Sequence, residues 1–356
     1  MKQAGLSGLM RVKNDAEFIA ASIDSCIDAL DELVVVYNDC TDHSPQLIEE
    51  KRQQYPTKIR VFEYKHQVIA NNLTEEEYNY ALLLPDDSPN LLCNYYNYAL
   101  SKTSYMYAIK IDADQIYIKE QLLYWRNICC QSPQKKSIIK CLIGRGVDFC
   151  FRLYRHIGIK TKRQIVLIPQ WLCTTIAPYY QAYALDLFTK GRAAISLSGI
   201  NVFWDNDWFV SLGGISPSIN ILPPYNGEGD HLIFKVSDST YYKRFDMPYY
   251  NQLRNTKYSL IEEFVHPYKV MYMGFAWFHL NAMRNYCKDK VIKEKQRNPQ
   301  KFMSLHHFLA LPYSKVEKQT DSVMHRLYQK LLFSYIHNAY AAALTPFTDV
   351  LNTIKR

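Results

Sequence analysis

The first 62 residues alternate short apolar runs with segments of helical spacing. Largely apolar runs lie at 8–12, 33–37 and 59–62. The segment 16–30 repeats apolar residues every three or four positions, and 44–55 is expected to be a second helix. Parallel strands need a covering connection, so the order strand, helix, strand, helix, strand predicts a parallel sheet with right-handed crossovers. We therefore expect an α/β fold with a mostly parallel central sheet flanked by helices.

A further buried strand is expected around Ile109 and Ile111, and two carboxylates, Asp112 and Asp114, follow it. In open α/β sheets, ligands bind in the crevice outside the carboxyl ends of the strands. Two carboxylates at that position can hold a hard divalent cation that bridges to the phosphates of a substrate such as a sugar nucleotide. The D-x-D sequence alone is weak evidence because it is common by chance. The prediction that Asp112 and Asp114 bind metal therefore depends on their position after a buried strand.

Polar side chains also follow the first two strands, with Asn14 after the first and Asn38 and Asp39 after the second. They could contact the base and ribose of a nucleotide, although Asn and Asp are also common turn formers. A helix expected at 91–100 carries Tyr95, which either lines the nucleotide cleft or packs that helix. The stretch 65–89 is more polar and is expected to be a surface insertion.

Two later stretches offer catalytic side chains. Glycines flank Glu228 and precede Asp230, and they let the backbone approach a ligand closely. Asp230 is thus a candidate general base with Glu228 as the fallback, or else Asp230 caps a helix beginning near His231. His279 ends an apolar and aromatic run, where it is either a satisfied core residue or a third ligand to a metal or diphosphate.

Positive charge is concentrated in two segments of a chain with a net charge of +8. Residues 284–356 hold thirteen Lys/Arg against five Asp/Glu, and 135–163 hold nine against one. Such segments favour an anionic partner such as a membrane surface, or they form solvated helix faces. No recognition motif accompanies the charge, so no nucleic acid is expected. Residues 133–192 are expected to be a helical insertion touching membrane or acceptor, and 319–336 an amphipathic helix that packs on the core or lies on a membrane.

The nine cysteines show no metal-ligand spacing, and neither a secretory signal nor a run of about 18 apolar residues is found. We therefore expect reduced thiols in a cytoplasmic protein. If the basic segments bind lipid, the protein is expected to be peripheral on the inner face of a bacterial inner membrane.

Four motifs together resemble a known family. They are Arg-Val-Lys-Asn-Asp at 11–15, Tyr-Asn-Asp-Cys-Thr-Asp at 37–42, Tyr-Tyr-Asn-Tyr at 95–98 and Ile-Lys-Ile-Asp-Ala-Asp at 109–114. Their order and spacing resemble those of the bacterial β-1,4-N-acetylgalactosaminyltransferases of lipooligosaccharide synthesis and, more broadly, of family 2 glycosyltransferases with the GT-A fold. The resemblance covers residues 8–125. Farther on, only the Gly-Asp pair at 229–230 and the segment ending at His279 resemble later motifs.

The resemblance implies a GT-A fold, to which we expect this chain to add a helical insertion and a helical C-terminal segment. It implies a UDP-sugar donor, a Mn²⁺ or Mg²⁺ ion and inversion at the anomeric carbon. Position and resemblance together give the candidate site residues: Arg11, Asn14, Asn38, Asp39, Tyr95 and Asp112 for the nucleotide, Asp112, Asp114 and His279 for the metal, and Asp230, with Glu228 as the fallback, for the base. Tyr37-Asn38 replaces the Asp-Asp of the broader family, and Gln115 replaces the His of the closer one, so base recognition and donor sugar stay open.

These observations predict an inverting, metal-dependent enzyme that moves a hexose or N-acetylhexosamine from a UDP-sugar to a surface glycan: lipooligosaccharide, O-antigen or capsule. One alternative is a sugar-nucleotide nucleotidyltransferase, which the lack of a Gly-rich loop after the first strand disfavours. The other is a non-catalytic, glycosyltransferase-like scaffold. The predicted organisation is a nucleotide-sugar half (1–130), a basic and aromatic insertion (131–192), an acceptor half with the base (193–283) and a basic helical segment (284–356).

Overall fold

The computed structural model describes residues 2–70, 73–131, 137–161, 168–212, 222–245, 249–250, 258–260, 262–317 and 327–354. The elements up to residue 130 are β1 (Gln3–Val12), α1 (Ile19–Cys26), β2 (Glu32–Tyr37), α2 (Ser44–Gln54), β3 (Ile59–Glu63), α3 (Glu75–Leu83), α4 (Leu92–Ser101), β4 (Tyr105–Asp112), β5 (Gln115–Tyr117) and α5 (Lys119–Cys130). Every element predicted from the alternating pattern at 8–62 is present.

The later elements are α6 (Ile138–Thr161), α7 (Gln170–Thr189), β6 (Ala193–Asn201), β7 (Phe203–Trp204), β8 (Trp208–Ser211), β9 (Tyr225–Lys235), β10 (Tyr241–Arg244), β11 (Tyr249–Tyr250), β12 (Tyr258–Ser259), β13 (Glu262–Val265), β14 (Lys269–His279), α8 (Asn285–Arg297), β15 (Phe302–Ser304), α9 (Leu305–Ala310), α10 (Tyr313–Glu317) and α11 (Leu327–Tyr340). Short 3₁₀ helices cover Ile27–Ala29, Asn281–Met283, Pro299–Lys301 and Ala341–Ile354.

The chain divides into two compact units, each built from several segments. The first unit comprises Met1–Gln115, Leu122–Cys130 and Ile233–Tyr268. The second comprises Ile116–Gln121, Gln131–Leu232 and Lys269–Arg356.

The first unit contains the predicted parallel sheet. Its strands lie in the order β3-β2-β1-β4-β9, with β1 parallel to both β2 and β4, and β2 parallel to β3. Strand β9 is antiparallel to β4, pairing 233–235 with 107–109. The side chains of Leu33, Val34, Val35 and Val36 in β2 are completely buried, as expected for a strand covered on both faces. The predicted mixed α/β fold, with a mostly parallel sheet flanked by helices, is confirmed.

In the second unit the strands lie in the order β9-β6-β14-β5, and β6 is parallel to β14. Gly199 in β6 lies against the Trp277 indole, where a Cβ atom would come within 1.9 Å of Nε1. The predicted C-terminal helices are present. Helix α11 packs on the core of this unit, because Leu332, Tyr335 and Ile336 are buried; of the helix expected at 319–336, residues 319–326 lie outside the described part of the chain.

The expectation of a helix beginning near His231 is wrong. Residues 225–235 form the continuous strand β9, with positive φ angles at Gly227 (82°) and Gly229 (75°). The apolar residues after His231 pair with β4, and strand pairing outweighs local preference. Asp230 therefore lies within a strand, and the helix-capping alternative for it falls away.

The predicted helical insertion forms the antiparallel pair α6 and α7. Gly144 allows the two helices to touch, because a Cβ atom there would lie 2.1 Å from the backbone oxygen of Tyr179. Gly146, two residues on, faces open space. Across the described residues, no helix combines the length and hydrophobicity needed to cross a membrane.

Replacing the buried glycine should separate the two helices. We expect Gly144→Ala to lower the free energy of unfolding by about 1–3 kcal/mol, the usual cost of overpacking. Gly146→Ala is the matched control and should be neutral or stabilising by about 0.5–1 kcal/mol, since alanine is the better helix former. Urea unfolding of both variants checks this, and an equal midpoint for the two would contradict the close contact.

Candidate active site

Three neighbouring strands of the first unit end side by side, and their ends define the candidate site. In the register of the sheet, Arg11 of β1 lies directly opposite Asp112 of β4, and Val12 lies opposite Tyr37 of β2. Because the strands are parallel, the residues that follow them emerge at one edge of the sheet. The sheet register thus places Arg11 beside the first carboxylate of the D-x-D sequence.

Ala113 and Asp114 form a turn after β4, and side chains on either side of this turn contact Asp112. Gln115 donates from Nε2 to Oδ2 of Asp112 at 3.2 Å, and the Nζ of Lys110 lies 3.5 Å from the same oxygen. Lys110 is two residues earlier on the strand and so shares the face of Asp112; it is only 8% exposed. The Asp112 carboxylate is therefore neutralised by a cation of its own strand, while Asp114 lies half-buried in the turn.

Arg11 is fixed over an aromatic ring. Its guanidinium carbon lies 3.1 Å from the centroid of the Tyr96 ring and 5.8 Å from that of Tyr95. Burial lowers the pKa of Arg11, but the nearby Tyr96, Glu262 and Asp112 together raise it above its ordinary value. A planar, permanently charged group held in one place beside a carboxylate suits the recognition of phosphate oxygens.

The loop after β1 is braced by the loop after β2. Asn14 has a left-handed backbone (φ 58°), and its Oδ1 accepts a hydrogen bond from the backbone N–H of Thr41 at 2.7 Å. Asp42 accepts from the backbone N–H of Ala16 at 3.0 Å and from that of Ser44 at 3.0 Å. Although partial burial raises the pKa of Asp42, these hydrogen bonds outweigh it and hold the pKa below its ordinary value. The two loops thus form one braced rim.

Asp39 lies on the exposed side of this rim. It also has a left-handed backbone (φ 45°), and its Oδ2 lies 3.2 Å from the Nζ of Lys13. Both side chains are at least half exposed, so the ion pair contributes little to stability. The exposure leaves the Asp39 carboxylate accessible to a ligand.

Asn38 and Tyr95 lie beneath the rim. The Nδ2 of Asn38 donates to the backbone oxygens of Tyr64 (2.6 Å) and His66 (2.8 Å). Its Oδ1 is buried and has no hydrogen-bond partner within the described parts of the chain. Tyr95 is buried too, and its hydroxyl donates to the backbone oxygen of Val36 at 2.6 Å, which ties α4 to the end of β2.

The remaining predicted residues belong to the second unit. Glu228 and Asp230 lie in β9, on either side of Gly229, whose N–H donates to the Ser196 hydroxyl at 3.2 Å. His279 is the last residue of β14.

The tautomer of His279 follows from its partner. Its Nδ1 lies 2.5 Å from the Oδ1 of Asn201, whose Nδ2 donates to the backbone oxygen of Pro223. Because the Asn201 oxygen can only accept, Nδ1 of His279 carries the hydrogen. In the neutral ring, Nε2 then has the lone pair that a cation requires.

The donor set fits a cation that shares its coordination with a substrate. Where the chain is described, no three His, Cys, Asp or Glu side chains converge as a preformed metal site. Asp112 and Asp114 offer carboxylate oxygens, which Mg²⁺ and Mn²⁺ prefer, and Mg²⁺ is usually bound by one or two carboxylates plus substrate phosphates.

The first unit thus brings together seven of the ten predicted residues at the ends of β1, β2 and β4 and on the adjacent α4: Arg11, Asn14, Asn38, Asp39, Tyr95, Asp112 and Asp114. The sequence did not predict four contributions to this site. Lys110 pairs with Asp112, and the Tyr96 ring lies under Arg11. Thr41 and Asp42 join the two loops, and Glu262 raises the pKa of Arg11. The role of Lys110 could have been predicted, because residues two apart on a strand point to the same face of the sheet and Lys110 lies two residues before Asp112.

Comparison with known proteins supports the resemblance. Residues 5–152 match the family model described as beta-1,4-N-acetylgalactosaminyltransferase (CgtA). The family resemblance predicted for residues 8–125 is therefore confirmed. No curated protein sequence gives a significant match to the chain.

Two solved structures are also similar to part of the chain. S. aureus TarS in complex with UDP-GlcNAc shares 19% identity at a TM-score of 0.25, over 35% of this chain and 30% of that one. Glucosyl-3-phosphoglycerate synthase of Mycobacterium tuberculosis, in complex with Mn²⁺, UDP and phosphoglyceric acid, shares 19% identity at a TM-score of 0.20, over 32% and 34%. The chain thus spans about a third of the length of each.

The brace between the loops gives a stability prediction. We expect Asn14→Ala to cost about 1–3 kcal/mol, because alanine strains the left-handed backbone and leaves the Thr41 N–H without its acceptor. Asn14→Gly loses the same acceptor but accepts the positive φ, so it should cost clearly less. Urea unfolding of both variants measures the difference. Equal losses would show that the backbone conformation contributes nothing.

Proposed function

We propose that the chain is a glycosyltransferase that transfers a hexosyl or N-acetylhexosaminyl group from a UDP-sugar to a glycan acceptor, with inversion at the anomeric carbon. One observation carries the proposal: Arg11 lies opposite Asp112 in the sheet, with Asp114 following in the turn, inside the segment that matches a glycosyltransferase family. A cation beside two carboxylates at strand ends suits a diphosphate bound together with a divalent ion.

The braced rim supplies contacts for the nucleotide. The Asn38 Oδ1 is a buried acceptor without a partner among the described residues, and a buried acceptor is costly unless a donor reaches it. The imide N–H of uracil is such a donor. The exposed Asp39 carboxylate can accept from the ribose hydroxyls, and Arg11 is placed for the diphosphate. Asn14 and Tyr95 then act by holding the loop and the strand end in place.

Asp114 is the principal ligand for the cation in this proposal. Lys110 and Gln115 already contact the Asp112 carboxylate, so Asp112 contributes a second oxygen or a ribose contact. A bound Mn²⁺ or Mg²⁺ ion would act as a Lewis acid that stabilises the charge of the leaving diphosphate. His279, through Nε2, is the proposed further ligand to the metal or the diphosphate.

Inversion by a single displacement also needs a base for the acceptor hydroxyl. We assign this role to Asp230, with Glu228 as the fallback. Gly227 and Gly229, on either side of Glu228, have positive φ angles, so the backbone here departs from regular strand geometry. The acceptor class we propose is a bacterial surface glycan: lipooligosaccharide, O-antigen or capsule. The basic segments would hold the protein at an anionic membrane surface.

The metal assignment is tested by Asp114→Ala. We expect this variant to lose Mn²⁺-dependent UDP binding and transfer, because the cation loses its principal oxygen ligand. Asp87→Ala, at an exposed loop position, is the matched control and should bind as the unaltered protein does. Calorimetric titration of UDP with Mn²⁺, with Mg²⁺ and with a chelator provides the measurement. No UDP binding under any of these conditions would contradict the proposal and favour the non-catalytic scaffold.

The base is tested separately from binding. Asp230→Asn should keep UDP affinity within about twofold yet lower kcat by about 10²–10⁴, the range for loss of a general base. The readout is UDP release from a panel of UDP-sugars with glycan acceptors. Full activity would exclude Asp230 as the base, and Glu228→Gln would then be the decisive variant.

A further inference from the structure

Helix α6 exposes a row of apolar side chains along most of its length. The row consists of Ile138, Ile139, Leu142, Ile143, Phe149, Leu153 and Ile157. With 3.6 residues per turn, these positions fall within less than half of the helix circumference. Their exposed fractions run from 44% to 76%. Single exposed apolar residues are ordinary, but a contiguous row marks an interaction surface. We call this row the α6 stripe.

A cavity of about 550 Å³ opens beside the α6 stripe. Its wall includes aliphatic and aromatic side chains from α6, α7 and α11: Val147, Phe151, Leu172, Ile176 and Leu332. Leu153 and Ile157 belong both to this wall and to the stripe, so the cavity and the exposed surface are continuous. The volume lies within the range of about 300–1,000 Å³ that is typical of ligand sites.

Two of the tyrosines in the cavity wall, Tyr180 and Tyr335, use their hydroxyls in contacts with other residues. The Tyr180 hydroxyl accepts from the backbone N–H of Tyr272 at 3.4 Å, and the Tyr335 hydroxyl lies 3.4 Å from that of Tyr340. Such a cavity suits a purely apolar ligand, because a polar group inside it would lose its hydration without replacement.

The charge around the stripe indicates which apolar ligand fits. Lys140, Arg145 and Arg152 are exposed on α6. The acidic residue of this helix, Asp148, is buried and paired with Arg152 (3.0 Å) and Lys269. The exposed charge of α6 is therefore positive. A second copy of the chain would bring the same charge and be repelled, whereas an anionic lipid surface is complementary.

Trp171, near the start of α7, is 67% exposed. An indole ring with an apolar body and a polar N–H is typical of membrane interfaces. Its exposure agrees with a lipid surface next to the α6–α7 pair.

We propose that the cavity holds the hydrocarbon chain of an anionic membrane lipid while the α6 stripe rests on the lipid surface. The hydrocarbon chain of the lipid enters past Leu153 and Ile157, and the exposed Lys140 and Arg145 of α6 face the phosphate headgroups. Burial of methylene groups drives the association, and the cations add an electrostatic attraction that salt screens. The site consists of second-unit residues and is independent of the UDP proposal.

The stripe is tested by vesicle flotation of the full chain. The wild-type chain should float with vesicles of phosphatidylglycerol and phosphatidylcholine, less so in high salt. Leu142→Gln should lower the partition coefficient about tenfold, the equivalent of one lost leucine contact. Leu83→Gln is the matched control, since Leu83 is 85% exposed on α3, and it should change nothing. Equal binding by both variants would overturn the stripe's role. So would a loss of dimer in sedimentation with Leu142→Gln, which would make the stripe a self-association surface.

The cavity is tested with lysophosphatidylglycerol below its micelle concentration. The unaltered chain should bind this lysolipid in calorimetric titration. Ile176→Trp, which fills the cavity, should weaken binding at least tenfold in calorimetric titration, as should the smaller change Val147→Phe. No binding by the unaltered chain, or undiminished binding by both variants at an unchanged unfolding temperature, would overturn the proposal.

Discussion

The parallel pairing of β1 with β2 on one side and β4 on the other is the constraint on which the candidate site depends. Parallel strands must all end at the same edge, and the register of the sheet then decides which residues meet there. In this chain the register sets Arg11 against Asp112, and the residues after β1 and β2 follow within one braced rim. A one-residue shift of β4 would turn Lys110 and Asp112 to the opposite face together.

Much of the site's support comes from groups that do not face a ligand. Tyr96 fixes the guanidinium of Arg11, Tyr95 ties α4 to the end of β2, and Thr41 and Asp42 hold the two loops to each other. Each contact restricts a side chain or loop that would otherwise lose conformational freedom on binding. Such preorganisation lowers the entropic cost of binding a flexible ligand.

The alternation of apolar runs and helical spacing was enough to predict β1 to β3 and their helices, because each of those elements buries a face that its own sequence period defines. The ends of strands were also predictable, since Asp112 and Asn38 directly follow buried runs. The prediction of a helix near His231 failed because it considered only neighbouring residues. The glycines, Glu228 and Asp230 resemble the start of a helix, but pairing with β4 holds this segment as the extended strand β9. Neighbouring residues alone also could not indicate Thr41, Tyr96 or Glu262, whose contributions depend on partners from other elements.

The ion pair between Lys110 and Asp112 has a consequence for the order in which ligands arrive. With a lysine 3.5 Å away, the charge of one carboxylate is already balanced before any metal binds. A bare divalent ion gains little by displacing an ammonium group that is tethered two residues away. A cation that arrives already chelated by a nucleotide diphosphate brings its own oxygen ligands and needs chiefly Asp114. If the proposed function holds, the site would therefore capture the metal–nucleotide complex as one unit.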